Sequence, residues 1–115
     1  MKTNIIVKLQ VEGLHVWWEA ETKLPEVAYL SHLHRHIFYI TCKQTVNHLN
    51  RDTEFIMLKH MITEYLTAKY HDDVYNCLNF NGMSCEMLAV ELVDKFNLCY
   101  CSVFEDNENG AEIIV

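Results

Sequence analysis

Seven of the 115 residues are histidine, against three glycines and one proline. Histidine is a common metal ligand and the side chain that titrates nearest neutrality, so these seven are the first candidates for chemistry. His34 and His36 stand two apart, in a run rich in Ile, Phe, Tyr and Thr that predicts a strand over 34–45. Residues two apart on a strand point the same way, which puts both imidazoles on one face. His15 ends an earlier alternating segment, in phase with the apolar Ile5, Val7, Leu9 and Val11. If the two strands are neighbours, three imidazoles converge on an open tetrahedral metal site, with a fourth position for water or substrate. A metal held there acts as a Lewis acid on a bound oxygen. Spacing alone leaves a second reading open, in which His32, His34 and His36 form a polar edge and His15 is a satisfied histidine at a strand end. His48, His60 and His71 lie elsewhere and read as surface residues.

The elements that must position these histidines follow from periodicity. The first strand alternates from Ile5 and ends near Gly13, with Lys8, Gln10 and Glu12 on its polar side. Residues 17–33 hold the single proline, Pro25, among charged and aromatic residues and read as a long loop. After the second strand a helix is expected, capped by Asp52 or Thr53, with a stripe of Phe55, Leu58, Ile62, Tyr65 and Leu66. A polar connector covers 70–83. A second helix starts at Ser84, a good N-cap, and turns Leu88, Ala89, Leu92, Val93 and Phe96 inward. Leu98–Glu105 reads as a third strand, 106–110 as a turn, and Ala111–Val115 as a fourth strand. The expectation is an α+β domain spanning 1–115: four antiparallel strands with both helices on one face. The other face of such a sheet needs cover, which predicts self-association.

Composition excludes several classes. Half of the chain is hydrophobic, enough for a core, and a formal charge of −7 argues against a large nucleic-acid or anionic-membrane footprint. No apolar stretch approaches a membrane span, and the start at Met1-Lys2-Thr3-Asn4 does not read as a signal peptide. Five cysteines form an odd set without CxxC spacing, so a reduced, cytoplasmic setting is expected, with most of them small core hydrophobes.

Read together, the pieces resemble one known family, the 6-pyruvoyl- and 6-carboxy-tetrahydropterin synthases. They are Leu14-His15, Leu33-His34-Arg35-His36, Glu54-Phe55-Ile56-Met57-Leu58-Lys59, Ser84-Cys85-Glu86-Met87-Leu88-Ala89, and Val103-Phe104-Glu105 followed by Gly110-Ala111-Glu112. They occur in the family's order and span nearly the whole chain. The resemblance implies the T-fold (strand-strand-helix-helix-strand-strand), assembled into barrels in homo-oligomers. It implies Zn2+ held by His15, His34 and His36. It also implies a pterin- or purine-like ring anchored by Glu105, with Ser84 where the family has a ligand-contacting threonine. A carboxylate suits that task, because it accepts two parallel N–H bonds from a guanidine-like edge. The bare sequence reads Glu105 equally as a solvated turn residue and Ser84 as a helix cap.

The departures bear on turnover. The family's cysteine before His-x-His has no counterpart in Val27–His32, and Glu21 and Glu26 fit a variant glutamate poorly. The Asp-His pair between the helices is replaced by His71-Asp72-Asp73, and Arg35 stands where the family has glycine. Losing those groups removes proton transfer while sparing metal and ligand binding. The expectation is therefore a zinc-binding T-fold protein that holds a pterin- or purine-like molecule with altered or lost synthase chemistry. One alternative is an active lyase of that type, with His71 and Asp72 as reassigned catalytic groups. The others are a protein that sequesters a nucleotide signal and a non-catalytic scaffold.

Overall fold

The computed structural model describes residues 1–115. Two long strands, β1 (Thr3–His15) and β2 (His34–Val46), pair antiparallel along their whole length. Between them the chain makes a one-turn helix, α1 (Ala20–Lys23), and a 3-10 segment at Pro25–Ser31, where the sequence predicts a plain loop. Ala20 is fully buried and pins this segment down. Helix α2 (Phe55–Tyr70), the short strands β3 (His71–Asp72) and β4 (Cys77–Asn79), helix α3 (Cys85–Phe96), and strands β5 (Tyr100–Glu105) and β6 (Asn109–Ile114) follow.

The α+β class stands, but the sheet has six strands in the order β3-β4-β1-β2-β5-β6, not four. The extra pair lies in the connector that reads as irregular, because strands of two and three residues are too short to show a period of two. Nor is the sheet wholly antiparallel: β4 runs parallel to β1, pairing Leu78 with Gly13 and Asn79 with Leu14. Within this one chain it is an open sheet, with β3 and β6 as its edges.

Both helices pack on one face. Leu58, Ile62 and Leu66 of α2 and Leu88, Ala89 and Leu92 of α3 meet Val7, Leu9, Phe38, Ile40, Cys42, Cys101 and Val103 in a single core. Phe55, expected in the α2 stripe, is 53% exposed, since the buried positions begin at Leu58. The α2 cap is Glu54, whose carboxylate accepts from the backbone N–H groups of Ile56 and Met57. Asp52 is instead occupied by the Asn47 N–H, closing the turn after β2. Ser84 caps α3 as expected, accepting from the Met87 N–H at 3.2 Å.

The register decides where chemistry can occur. The helix-facing residues run in rungs: Val7 beside Cys42, Leu9 beside Ile40, Val11 beside Phe38, Gly13 beside His36, and His15 beside His34. On the neighbouring strand Glu105 sits beside Phe38. The apolar rungs therefore give way to polar ones at one end of the same face. Phe38 and Phe80 pack edge to face there, and Gly13 leaves room for them. A Cβ on Gly13 would lie 2.7 Å from the Phe80 ring and 3.0 Å from that of Phe38.

Candidate metal centre

His15 and His34 are direct cross-strand partners, and His36 lies one rung nearer the core. Their rings meet edge to face, with centroids 4.5 Å apart for His15 and His34 and 5.1 Å for each pair involving His36. Glu105 reaches in from β5, with Oε2 2.6 Å from His15 Nε2 and 3.5 Å from His36 Nε2. One donor atom from each of the four residues lies within 4.8 Å of every other. Phe38 forms the floor, its ring edge to face with those of His15 and His36.

The outward nitrogens fix the tautomers. His34 Nδ1 is 2.7 Å from the His32 carbonyl, and His15 Nδ1 is 3.4 Å from the Met83 carbonyl. A carbonyl can only accept, so these Nδ1 atoms donate and leave Nε2 as a free lone pair. His36 Nδ1 is 2.6 Å from Asp106 Oδ2, and Asp106 Oδ1 accepts the Ile37 N–H at 2.9 Å. Orientation of metal-binding imidazoles by carbonyls and carboxylates is the usual outer layer of such sites.

The inward nitrogens supply the test of fit. His15 Nε2 and His34 Nε2 are buried and have no hydrogen-bond partner. For His15 this holds although Glu105 is close, because a neutral ring that donates from Nδ1 has no proton on Nε2 to give the carboxylate. Buried polar atoms without partners are costly and call for an explanation. A cation shared among these lone pairs and the carboxylate provides one, and a donor set of three imidazoles and one carboxylate suits a divalent ion of the zinc type. The residues fit a metal.

Electrostatics agree. Burial holds the His34 pKa below its ordinary value, with His15 and His36 adding to the effect and the His32 carbonyl opposing it. The Glu105 carboxyl is held below the usual range, first by its contact with His15, although burial opposes this. Asp106 is held down by the Ile37 N–H and then by His36.

A cleft of about 450 Å³ opens beside the cluster. His15, His34 and Glu105 form one wall, and the residues facing them include Trp17, Leu30, Met83, Ser84, Cys85 and Glu86. The capped start of α3 thus lines the cleft, and Ser84 borders it while also serving as the cap. Burial first, then the charges of Glu105 and Glu86, push the Cys85 thiol up to about 12, which keeps it protonated.

Of the residues singled out from sequence, His15, His34, His36 and Glu105 come together, and Ser84 lines the adjoining cleft. His71 and Asp72 do neither. His71 Nε2 pairs with Asp73 at 3.1 Å, and Asp72 accepts from Val74, Tyr75 and Asn79 to hold the β3–β4 turn. Arg35 points to the other face, where it pairs with Glu12. Sequence reasoning missed Asp106 and Cys85. The signal for Asp106 was its place just past Glu105, where the register brings the chain beside Ile37 and His36. The signal for Cys85 was its place directly after the α3 cap.

No family model matches the chain, and no curated protein matches it. Among solved structures it is similar to the crystal structure of an uncharacterized protein from Wolinella succinogenes. The two share 11% identity with a TM-score of 0.61, over 99% of this chain and 98% of that one. At that identity the likeness shows the fold alone.

Proposed function

We propose that the chain is a zinc-binding protein of the T-fold type that holds a pterin- or purine-like small molecule beside its metal, with synthase chemistry altered or lost. One observation carries the metal: three imidazoles whose Nδ1 atoms face acceptors and whose Nε2 atoms face one another and Glu105. Bound there, zinc would act as a Lewis acid on an oxygen of the ligand. The ring-holding part rests on the cleft, where the apolar Trp17, Leu30, Met83 and Met87 stand with polar groups such as Ser84, Glu105 and Asn109, a mixture that can both cover a ring and orient it.

Binding without turnover is favoured by what the cleft lacks. Its one cysteine, Cys85, is held as a neutral thiol, and His71 and Asp72 lie outside it. Among its lining residues no imidazole–carboxylate pair stands apart from the metal cluster to shuttle a proton. Assembly into a homo-oligomeric barrel in a reduced cytoplasmic setting completes the proposal. In its support, Ile6 on the sheet's other face is exposed, Tyr39 and Phe104 on that face are only partly buried, and all five cysteines are free thiols. No helix is long and apolar enough to cross a membrane.

Native mass spectrometry of freshly purified protein tests this reading. The expected result is one metal ion per chain and a co-purifying small molecule, both lost in His34→Ala/His36→Ala. A well-folded wild-type chain that takes up no zinc sinks it. Product formation from a dihydroneopterin triphosphate would instead favour an active lyase.

A further inference from the structure

We propose that Glu105 is the closing fourth ligand of the metal, and that a hydrogen-bond-donating ligand in the cleft draws this carboxylate away and opens the coordination position. The proposal rests on the metal-centre reading above and adds a state to it. Donor atoms around a tetrahedral ion with bonds of about 2.0–2.1 Å stand roughly 3.3 Å apart. Glu105 Oε2 lies 2.6 Å from one imidazole nitrogen and 3.5 Å from another, on either side of that separation. The carboxylate therefore occupies the place where a water or substrate would bind in an open site.

The same side chain also borders the cleft. No lysine or arginine lines that cleft, and the other acid lining it is Glu86. The metal is thus the cation that Glu105 can meet, unless a ligand brings its own donors. The backbone on either side is fixed: Glu105 pairs with Phe38 on β2 and with Asn109 on β6, and Asp106 is tied to Ile37. Only the side chain is left to choose between the metal and the cleft. At 27% exposed it has room to do so. A ligand with two parallel N–H groups competes for it on equal terms, because bidentate charge-assisted pairs are among the strongest hydrogen bonds. Ligand binding and metal opening are then one equilibrium, and each biases the other.

Cobalt(II) substituted for zinc gives a visible spectrum that reads coordination directly. The wild-type chain should show a closed four-coordinate spectrum and bind azide weakly. Glu105→Gln and Glu105→Asp, the latter keeping the charge but shortening the reach, should both alter that spectrum. They should loosen cobalt by about 10–100-fold and bind azide more tightly than wild type. Low millimolar guanidinium, a probe with parallel N–H donors, should move the wild-type spectrum towards that of Glu105→Gln. Variants that remain folded by circular dichroism, yet keep the wild-type spectrum and cobalt affinity, overturn the ligand role. A wild-type spectrum indifferent to guanidinium overturns the opening step. Failure of the wild type to bind cobalt or zinc at all overturns the metal centre itself.

Discussion

Asp106 grips His36 and the backbone beside it at once: one oxygen lies 2.6 Å from His36 Nδ1, and the other takes the Ile37 N–H. The turn that carries Asp106 is left-handed at both Asp106 and Asn107, a conformation these two residue types tolerate. The β5–β6 hairpin therefore orients the His36 imidazole on β2. Asp106→Ala should lower metal affinity by about 10–100-fold while leaving the fold intact. Competition against a chelator measures it, and an unchanged affinity would show that His36 needs no such partner.

Gly13 should tolerate no side chain. The Cβ of Gly13→Ala would meet the Phe80 and Phe38 rings, so the variant should lose about 1–3 kcal/mol in a denaturant titration. Because Phe38 is the floor beneath His15 and His36, metal affinity should fall in parallel. Loss of stability without loss of affinity would separate the floor from the site.

The clamp between α2 and α3 should set the pH limits of stability. Glu91 accepts from Tyr70 at 2.6 Å and Tyr65 at 3.0 Å, and pairs with Lys69 at 3.1 Å. Burial would raise the Glu91 pKa, but these partners outweigh it and hold it below its ordinary value. A depressed carboxyl contributes stability that is present above its unfolded pKa and lost as pH falls through the folded one. Tyr70 is pushed up to about 12, first by burial and then by Glu91, so its contribution is present below about 10 and lost between there and about 12. Glu91→Gln should flatten both limbs of a stability-against-pH curve and cost about 2 kcal/mol at neutrality. Limbs as steep as in the wild type would assign them to other groups.

Thiol reactivity should divide the cysteines. Cys42 and Cys101 are fully buried and face each other across β2 and β5, with sulfurs 4.0 Å apart. The Cys42 contact and burial push the Cys101 thiol far up, and full burial keeps a reagent from either sulfur. A disulfide reagent should titrate Cys77 and Cys99 first, Cys85 more slowly because its thiol is pushed up to about 12, and the Cys42–Cys101 pair only on unfolding. Rapid modification of all five in the native protein would contradict the packing.

Much of this was legible because alternation carries so far. The phase of Ile5, Val7, Leu9 and Val11 predicted which way His15 points, and the two-residue spacing predicted the same for His34 and His36. The Ser84 cap and the inward residues of α3 were equally readable, since a cap and a stripe are local properties. Strands β3 and β4 were not, because their strand character comes from pairing with β1 and not from their own pattern. The Glu54 cap was hidden by better-known capping residues just before it. The place of Glu105 beside the three histidines was hidden for a deeper reason: it depends on the β2–β5 register, which no single segment encodes.

His15 and His34 are paired at the very end of the β1–β2 ladder, with the whole Val16–Leu33 excursion returning between them. An ion bound to both is a removable crosslink at the neck of that loop, made only when the ladder has zipped to its last rung. Thermal stability then becomes a function of free metal, rising by mass action as concentration exceeds the dissociation constant. A chelator would not merely empty a site. It would let the last rungs fray and release the excursion that carries Trp17 and Leu30, two walls of the cleft.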